Sequence, residues 1–207
     1  MPLLVEHSLP LWGIWKIEES SDELLKLLEN KQPYYSFVTD TMTEARKREW
    51  LASRVLVKRL LGFEPDISYT DAGAPFLVGL SKRISISHTK GFAAVILSDN
   101  PAAGIDIEYK SDRILRIAHK FVSTSELNYV EENNKVDYFN IIWCSKEVLF
   151  KVAQREGVDF IENLLVSSFT LSNGGRVKGT CRFNAFEDGY LLEYLITDDW
   201  YLVYRVK

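Results

Sequence analysis

The chain has 207 residues, of which 46% are apolar, 13% aromatic and 26% charged, with a net charge of −4. That composition supports a folded core and excludes a disordered chain, and the mild acidity gives no general attraction to nucleic acid or anionic membranes. No apolar run approaches the ~20 residues of a membrane helix, Met1 to Trp15 carries Glu6 and no basic leader, and Cys144 and Cys181 form neither a zinc nor a disulfide pattern; the expected setting is the cytoplasm, with both thiols reduced.

In chain order, Leu11 to Ile17 reads as a first strand. Ser20 with Glu23 has the spacing of a capping box, so a helix is expected through about Leu28. After a loop containing Pro33, Thr41 with Glu44 repeats that signal before a longer helix from Glu44 to Leu61, closed by Gly62 and Pro65. A turn-rich stretch around Asp71-Ala72-Gly73-Ala74-Pro75 follows. Ile84-Ser85-Ile86 and Phe92 to Leu97 then read as strands joined by a turn from His88 to Gly91, and Asn100-Pro101 breaks the chain. The second part repeats the plan. Gly104 to Glu108 is a strand, Asp112 to Phe121 a helix, Ser123 with Glu126 a further helix start, and Trp143 to Lys151 a helix that can be written over Trp50 to Lys58, with Arg54 falling opposite Glu147. In the tail, Phe169 to Leu171 and Val177 to Phe183 are expected to flank an Asn173-Gly174 turn, and Tyr190 to Ile196 and Trp200 to Val206 to flank Asp198-Asp199. Length allows one domain or two halves of about a hundred residues.

Two stretches carry chemistry. In Gly104-Ile105-Asp106-Ile107-Glu108 the strand period places both carboxylates on one side, roughly 7 Å apart, with the isoleucines on the other. About forty residues on, the helix period puts Trp143, Glu147 and Lys151 on one face, while Ile141, Val148 and Val152 face the core. Three carboxylates are the oxygen ligands that Mg²⁺ prefers. A third feature is the basic run of Arg46, Lys47, Arg48, Arg54, Lys58 and Arg59 against Glu44 and Glu49, which suits an anionic ligand. Taken singly, each has a structural reading. Glu147 and Lys151 have the spacing of a surface ion pair, and Asp106 suits the solvent face of an edge strand. His88 suits a hydrogen-bonded turn, the basic run a solvated helix face, and the two tryptophans core anchors.

Gly-Ile-Asp-Ile-Glu, then Trp-x-x-Lys-Glu-x-x-x-Lys, together with Ser85-Ile86-Ser87-His88-Thr89 upstream, resembles the signature set of the 4′-phosphopantetheinyl transferases, in the family's order and over about Glu44 to Phe160. The resemblance is to the larger, surfactin-synthetase-activating type. It implies an α+β fold of two similar halves in a pseudo-twofold arrangement, with mostly antiparallel sheets packed with helices. Residues 1–101 would contribute to coenzyme A binding and 102–207 would hold the metal site and catalytic helix. The implied reaction moves the 4′-phosphopantetheine arm of coenzyme A to a serine of an apo acyl, peptidyl or polyketide carrier protein, releasing adenosine 3′,5′-bisphosphate. Asp106, Glu108 and Glu147 would hold Mg²⁺. Glu147 is ligand, general base or both, and Lys151 contacts the phosphates or the leaving group. Ser87 and His88 would bond coenzyme A phosphates, and Arg54 with Arg46 or Arg48 would clamp the 3′-phosphate. Ala74 stands where many members of the larger type carry a basic residue before the proline, so either coenzyme A affinity is lower or Lys82, Arg83 or Lys90 supplies that contact. Two fused halves imply a monomer. Lys110 to Val122, with Arg113, Arg116 and Lys120 beside Ile114, Ile117 and Phe121, is either a docking surface for an acidic carrier or an ordinary amphipathic helix. The alternatives to the transferase are a non-catalytic protein of the same fold that binds coenzyme A or a carrier, and a metal-dependent hydrolase of phosphopantetheine esters.

Overall fold

The computed structural model describes residues 3–31, 34–35, 38, 41–183 and 186–205. The loop position Pro33 and the strand end at Val206 lie outside them. The chain folds as two compact units, Met1–Asp99 and Asn100–Lys207.

The first unit is a six-stranded antiparallel sheet in the order β1-β2-β6-β5-β4-β3, packed with helices. Its strands are β1 (Leu3–Ser8), β2 (Leu11–Lys16), β3 (Ile67–Tyr69), β4 (Pro75–Leu77), β5 (Arg83–Thr89) and β6 (Phe92–Ser98). Helix α1 (Ser21–Lys26) starts on the expected capping box, with Ser20 and Glu23 each bonding the other's backbone N–H. Helix α2 spans Glu44–Leu61 and stops at Gly62, whose φ of 78° suits a left-handed cap. Its N-cap is Thr43, which accepts from the Arg46 N–H, and not Thr41: the hydroxyl one position before Glu44 is the one that reaches the first free N–H groups. Strand β6 is buried on both faces, and α2 closes one of them with Leu51, Val55 and Leu56 against Trp15, Ile84, Val95 and Leu97. Three short strands, β1, β3 and β4, go beyond the elements expected from the sequence. β1 is mostly exposed and β3 and β4 are three residues each, so none shows the alternation that marks a half-buried strand.

The second unit is a five-stranded antiparallel sheet in the order β7-β11-β10-β9-β8. Its elements are β7 (Ile105–Tyr109), α3 (Ile114–Ile117) running into a 3₁₀ turn at Ala118–Lys120, α4 (Thr124–Leu127), α5 (Lys135–Ala153), β8 (Leu164–Val166), β9 (Gly174–Phe183), β10 (Phe186–Ile196) and β11 (Trp200–Arg205). The expected helix from Asp112 to Phe121 is therefore one turn of α-helix plus a 3₁₀ turn. Phe169 to Leu171 is not a strand, and Asn173-Gly174 is not a hairpin turn. Gly174 already pairs with Leu195 in β10, and β9 also pairs with β8. Phe169 owes its apolar character to packing, its ring lying 5.1 Å from Tyr138 and 5.5 Å from Tyr194. The β10–β11 hairpin falls where the sequence places it.

With β1 set aside, both units follow one plan: the first strand pairs with the last, the last with the one before it, and so on outward, with the long helix inserted after the first strand. The fold is α+β, two antiparallel sheets each packed with helices. In the second unit α5 lies so close to the start of β7 that a Cβ on Gly104 would meet Val148 Cγ1 at 2.9 Å and Val148 O at 3.1 Å. Gly104→Ala is expected to cost about 1–3 kcal/mol, read as a lower urea midpoint. An unchanged midpoint would show that this approach does not set the helix position.

Candidate active site

The close seating of α5 on β7 brings two sets of side chains together. Asp106 is only 4% exposed, and Lys151 Nζ donates to its Oδ1 at 2.8 Å and to the Ile105 carbonyl at 2.9 Å. Two turns back along the helix, Trp143 Nε1 donates to Glu108 Oε1 at 3.0 Å. That indole is wedged between Phe121 and Phe160, with ring centroids 5.0 and 5.5 Å away, so its N–H direction is fixed. Trp143, Glu147 and Lys151 share the helix face expected of them, and Ile141 and Val148 are fully buried on the other.

Glu147 sits between these contacts in the field of both strand carboxylates. Burial first, then the charge of Asp106, pushes its carboxyl from 4.5 up to about 7; Lys151 opposes the rise and Glu108 adds to it. A carboxyl poised near neutrality can take a proton as a base at physiological pH. The buried Cys144 thiol is also driven well up, by burial and then by Asp106 and Glu108, so it stays a thiol and an inert neighbour. As the side chains stand, no group of three His, Cys, Asp or Glu among the described residues is gathered tightly enough to hold a metal ion. Lys151 and Trp143 lie on the oxygens of Asp106 and Glu108. The donor chemistry itself suits a hard dication: oxygen ligands only, and mutual repulsion that a cation relieves.

Lys146, the first lysine of the Trp-x-x-Lys-Glu-x-x-x-Lys stretch, has no role assigned from the sequence, yet the structure gives it a central place. It is fully buried, and its ammonium donates to Glu126 Oε2 at 2.8 Å and to the carbonyls of Phe121 at 2.6 Å and Phe160 at 2.7 Å. Glu126 in turn accepts from the backbone N–H of Ser123 and of Val166. One ion pair thus fastens the α4 cap, the end of the 3₁₀ turn, Phe160 and β8 to the helix that carries Glu147. A signal for it exists in the helix period: Lys146 lies four residues after Ile142 and three before Leu149, both at 0% exposure, which is a core position.

In the first unit, His88 lies inside β5, paired with Ala93, and not in the turn that follows; the strand runs on to Thr89. The structure brings it against Arg46, whose Nη1 is 2.7 Å from His88 Nε2. Ser87, 8% exposed, pairs with Ala94 on the adjoining position. Arg48 and Arg54 are engaged by the fold. Arg48 Nη2 donates to the Ile17 carbonyl at 2.8 Å. Arg54 is 4% exposed, with its guanidinium 3.6 Å above the Trp50 ring and bonded to Ser53, Trp50 O and Tyr69. It lines a cleft of about 220 Å³ with Tyr34, Trp50 and Tyr69. Ala74 belongs to a loop tied to Thr70, and Lys82 is paired with Asp99 at 2.9 Å.

Residues 102–201 match the 4′-phosphopantetheinyl transferase superfamily. Two 4′-phosphopantetheinyl transferases named AcpT, from Salmonella typhi and Salmonella typhimurium strain LT2, are each 31% identical over 137 residues, which is 61% of this chain and 70% of theirs. The chain belongs to this superfamily. Its chemistry is phosphopantetheine transfer, with coenzyme A the substrate that fits the family. The β7–α5 cluster, where Asp106, Glu108, Glu147 and Lys151 stand, lies inside the matched region. No helix among the described residues is long and apolar enough to cross a membrane.

Proposed function

We propose that this transferase moves the 4′-phosphopantetheine arm of coenzyme A to a serine hydroxyl of an apo carrier protein, releasing adenosine 3′,5′-bisphosphate, with Mg²⁺ held by Asp106, Glu108 and Glu147. The observation that carries the reading is Glu147, a carboxyl raised to about 7 between two further carboxylates and one lysine. Bound Mg²⁺ would supply charge neutralisation at the pyrophosphate. The protein's own part is positioning and proton handling. Glu147 takes the serine proton directly or through water, which leaves the alkoxide to attack phosphorus as the bridging oxygen departs. Lys151, already 2.8 Å from Asp106, turns its ammonium to the phosphate oxygens. Trp143 holds Glu108 in place. Arg46 and Ser87 in the first unit are proposed to contact coenzyme A phosphates, with His88 acting through the Arg46 guanidinium it touches. The shared strand plan of the two units supports placing the chain with the larger, two-halved members, acting as a monomer in the cytoplasm.

The carrier is proposed to dock on α3, where Leu115 and Ile117 are 44% and 37% exposed and Arg113, Arg116 and Lys120 are exposed beside them. Apolar anchors ringed by positive charge suit an acidic helical partner. The double variant R113E/R116E is expected to raise KM for the carrier about tenfold or more and to leave KM for coenzyme A unchanged. Equal effects on both would remove α3 from the interface.

The deciding experiment is intact-mass analysis of apo acyl, peptidyl and polyketide carriers incubated with the protein, coenzyme A and Mg²⁺, with an EDTA control. A metal-dependent gain of one phosphopantetheine, lost in Asp106→Ala and Glu147→Ala, is expected. No gain on any carrier, despite coenzyme A binding, would overturn the reading in favour of a binding protein.

A further inference from the structure

Glu49 belongs to none of the groups so far assigned, yet it stands beside two of them. It lies three residues after Arg46 on α2, and α2 packs on β5. Its Oε2 is 3.3 Å from His88 Nδ1 and 3.8 Å from Arg46 Nη1, while that same Nη1 is 2.7 Å from His88 Nε2. A guanidinium carries donors only, so Nε2 must be the acceptor in this contact. The proton of a neutral ring then sits on Nδ1, facing Glu49. Neutral imidazole in water favours the opposite form, with the proton on Nε2, so something must hold this tautomer, and the hydrogen bond made by one ring nitrogen is what sets the state of the other.

We propose that Glu49 is a positioning residue for coenzyme A: it fixes the Nδ1–H tautomer of His88, and His88 Nε2 in turn holds the Arg46 guanidinium so that its remaining N–H donors meet a phosphate oxygen. The exposures fit that division of labour. The Glu49 and His88 side chains are 21% and 26% exposed, sheltered enough for their contact to persist, whereas Arg46 is 52% exposed and open to a ligand. Burial raises the Glu49 carboxyl and Arg46 lowers it; in either protonation state a carboxyl oxygen remains to accept from Nδ1. His88 thus acts from behind Arg46. The proposal rests on the reading of Arg46 as a phosphate contact.

The test uses the full chain with three variants, Glu49→Ala, Glu49→Gln and Arg46→Ala. The imidazole ¹⁵N spectrum is readable because the sequence has only three histidines. Wild type is expected to show a protonated-type Nδ1 and a bare Nε2 at His88, Glu49→Ala to shift the ring toward the Nε2–H form, and Glu49→Gln, whose amide oxygen still accepts, to retain the wild-type pattern. Coenzyme A affinity by calorimetry should fall about 10–100-fold in Glu49→Ala and recover in Glu49→Gln. An unchanged tautomer in folded Glu49→Ala, or a changed tautomer with unchanged affinity, overturns the proposal. Unchanged affinity in Arg46→Ala would instead refute the phosphate reading of Arg46, while the spectrum still decides whether Glu49 sets the ring.

Discussion

Glu147→Gln is expected to cut kcat for carrier modification by about 10²–10⁴-fold and, in metal-free buffer at pH 8, to make the fold more stable than wild type. The two effects have one source. In the folded chain the Glu147 carboxyl titrates at about 7, against 4.5 for the ordinary group. Below 4.5 it is protonated in both states and the substitution changes little. Between 4.5 and 7 the unfolded chain releases a proton that the folded chain keeps, so wild-type stability falls as pH rises. Above 7 the whole penalty is present, about 3 kcal/mol by linkage. Glutamine has no charge to bury, so its advantage is absent at pH 4, grows through the interval and levels off above 7. Thermal midpoints in EDTA at pH 4, 6 and 8 read this directly. A constant difference between variant and wild type across that range would mean that Glu147 is neither buried nor held in the field of Asp106 and Glu108 as described.

Much of this site is legible in the sequence because it is built from periodic elements. Alternation places Asp106 and Glu108 together, and the four-residue helical step places Trp143, Glu147 and Lys151 on one face. Their partners across the strand and helix are not legible. That Lys151 meets Asp106 and Trp143 meets Glu108 depends on how deeply α5 sinks onto β7, which is set by the missing side chain at Gly104 and is a tertiary fact. The basic run shows the opposite limit. Arg46, Arg48 and Arg54 look alike in sequence, but their turn positions on α2 send Arg46 to His88, Arg48 to a backbone carbonyl and Arg54 onto the Trp50 ring. The misplaced strand and turn before β9 have a related origin. Phe169 to Leu171 is apolar because it packs against tyrosines, and period alone cannot tell a packed loop from a strand or choose the partner of β9.

The two lysines of the motif should fail in opposite ways when replaced by methionine. Lys146→Met is expected to cost about 3–5 kcal/mol. It removes the ammonium that pairs with Glu126, a carboxylate at 1% exposure, and takes a donor from the carbonyls of Phe121 and Phe160. Methionine nearly matches lysine in length and apolar stem, so the loss reports the charge and its hydrogen bonds and not a cavity. Burial already lowers the Lys146 ammonium from its usual value while Glu126 raises it, which means that the pair stands by mutual support, and removing either half strands the other. Lys151→Met differs. Its side chain is 24% exposed and it bonds one carbonyl where Lys146 bonds two, so a smaller cost, about 1–3 kcal/mol, is expected even with Asp106 left buried. Its transfer activity should nevertheless collapse, because the lost group is the one that turns to the phosphates. Urea unfolding and carrier labelling on the two purified variants separate the cases. A Lys146→Met protein as stable as Lys151→Met would refute the structural role of the buried pair, and a fully active Lys151→Met would remove that lysine from the reaction.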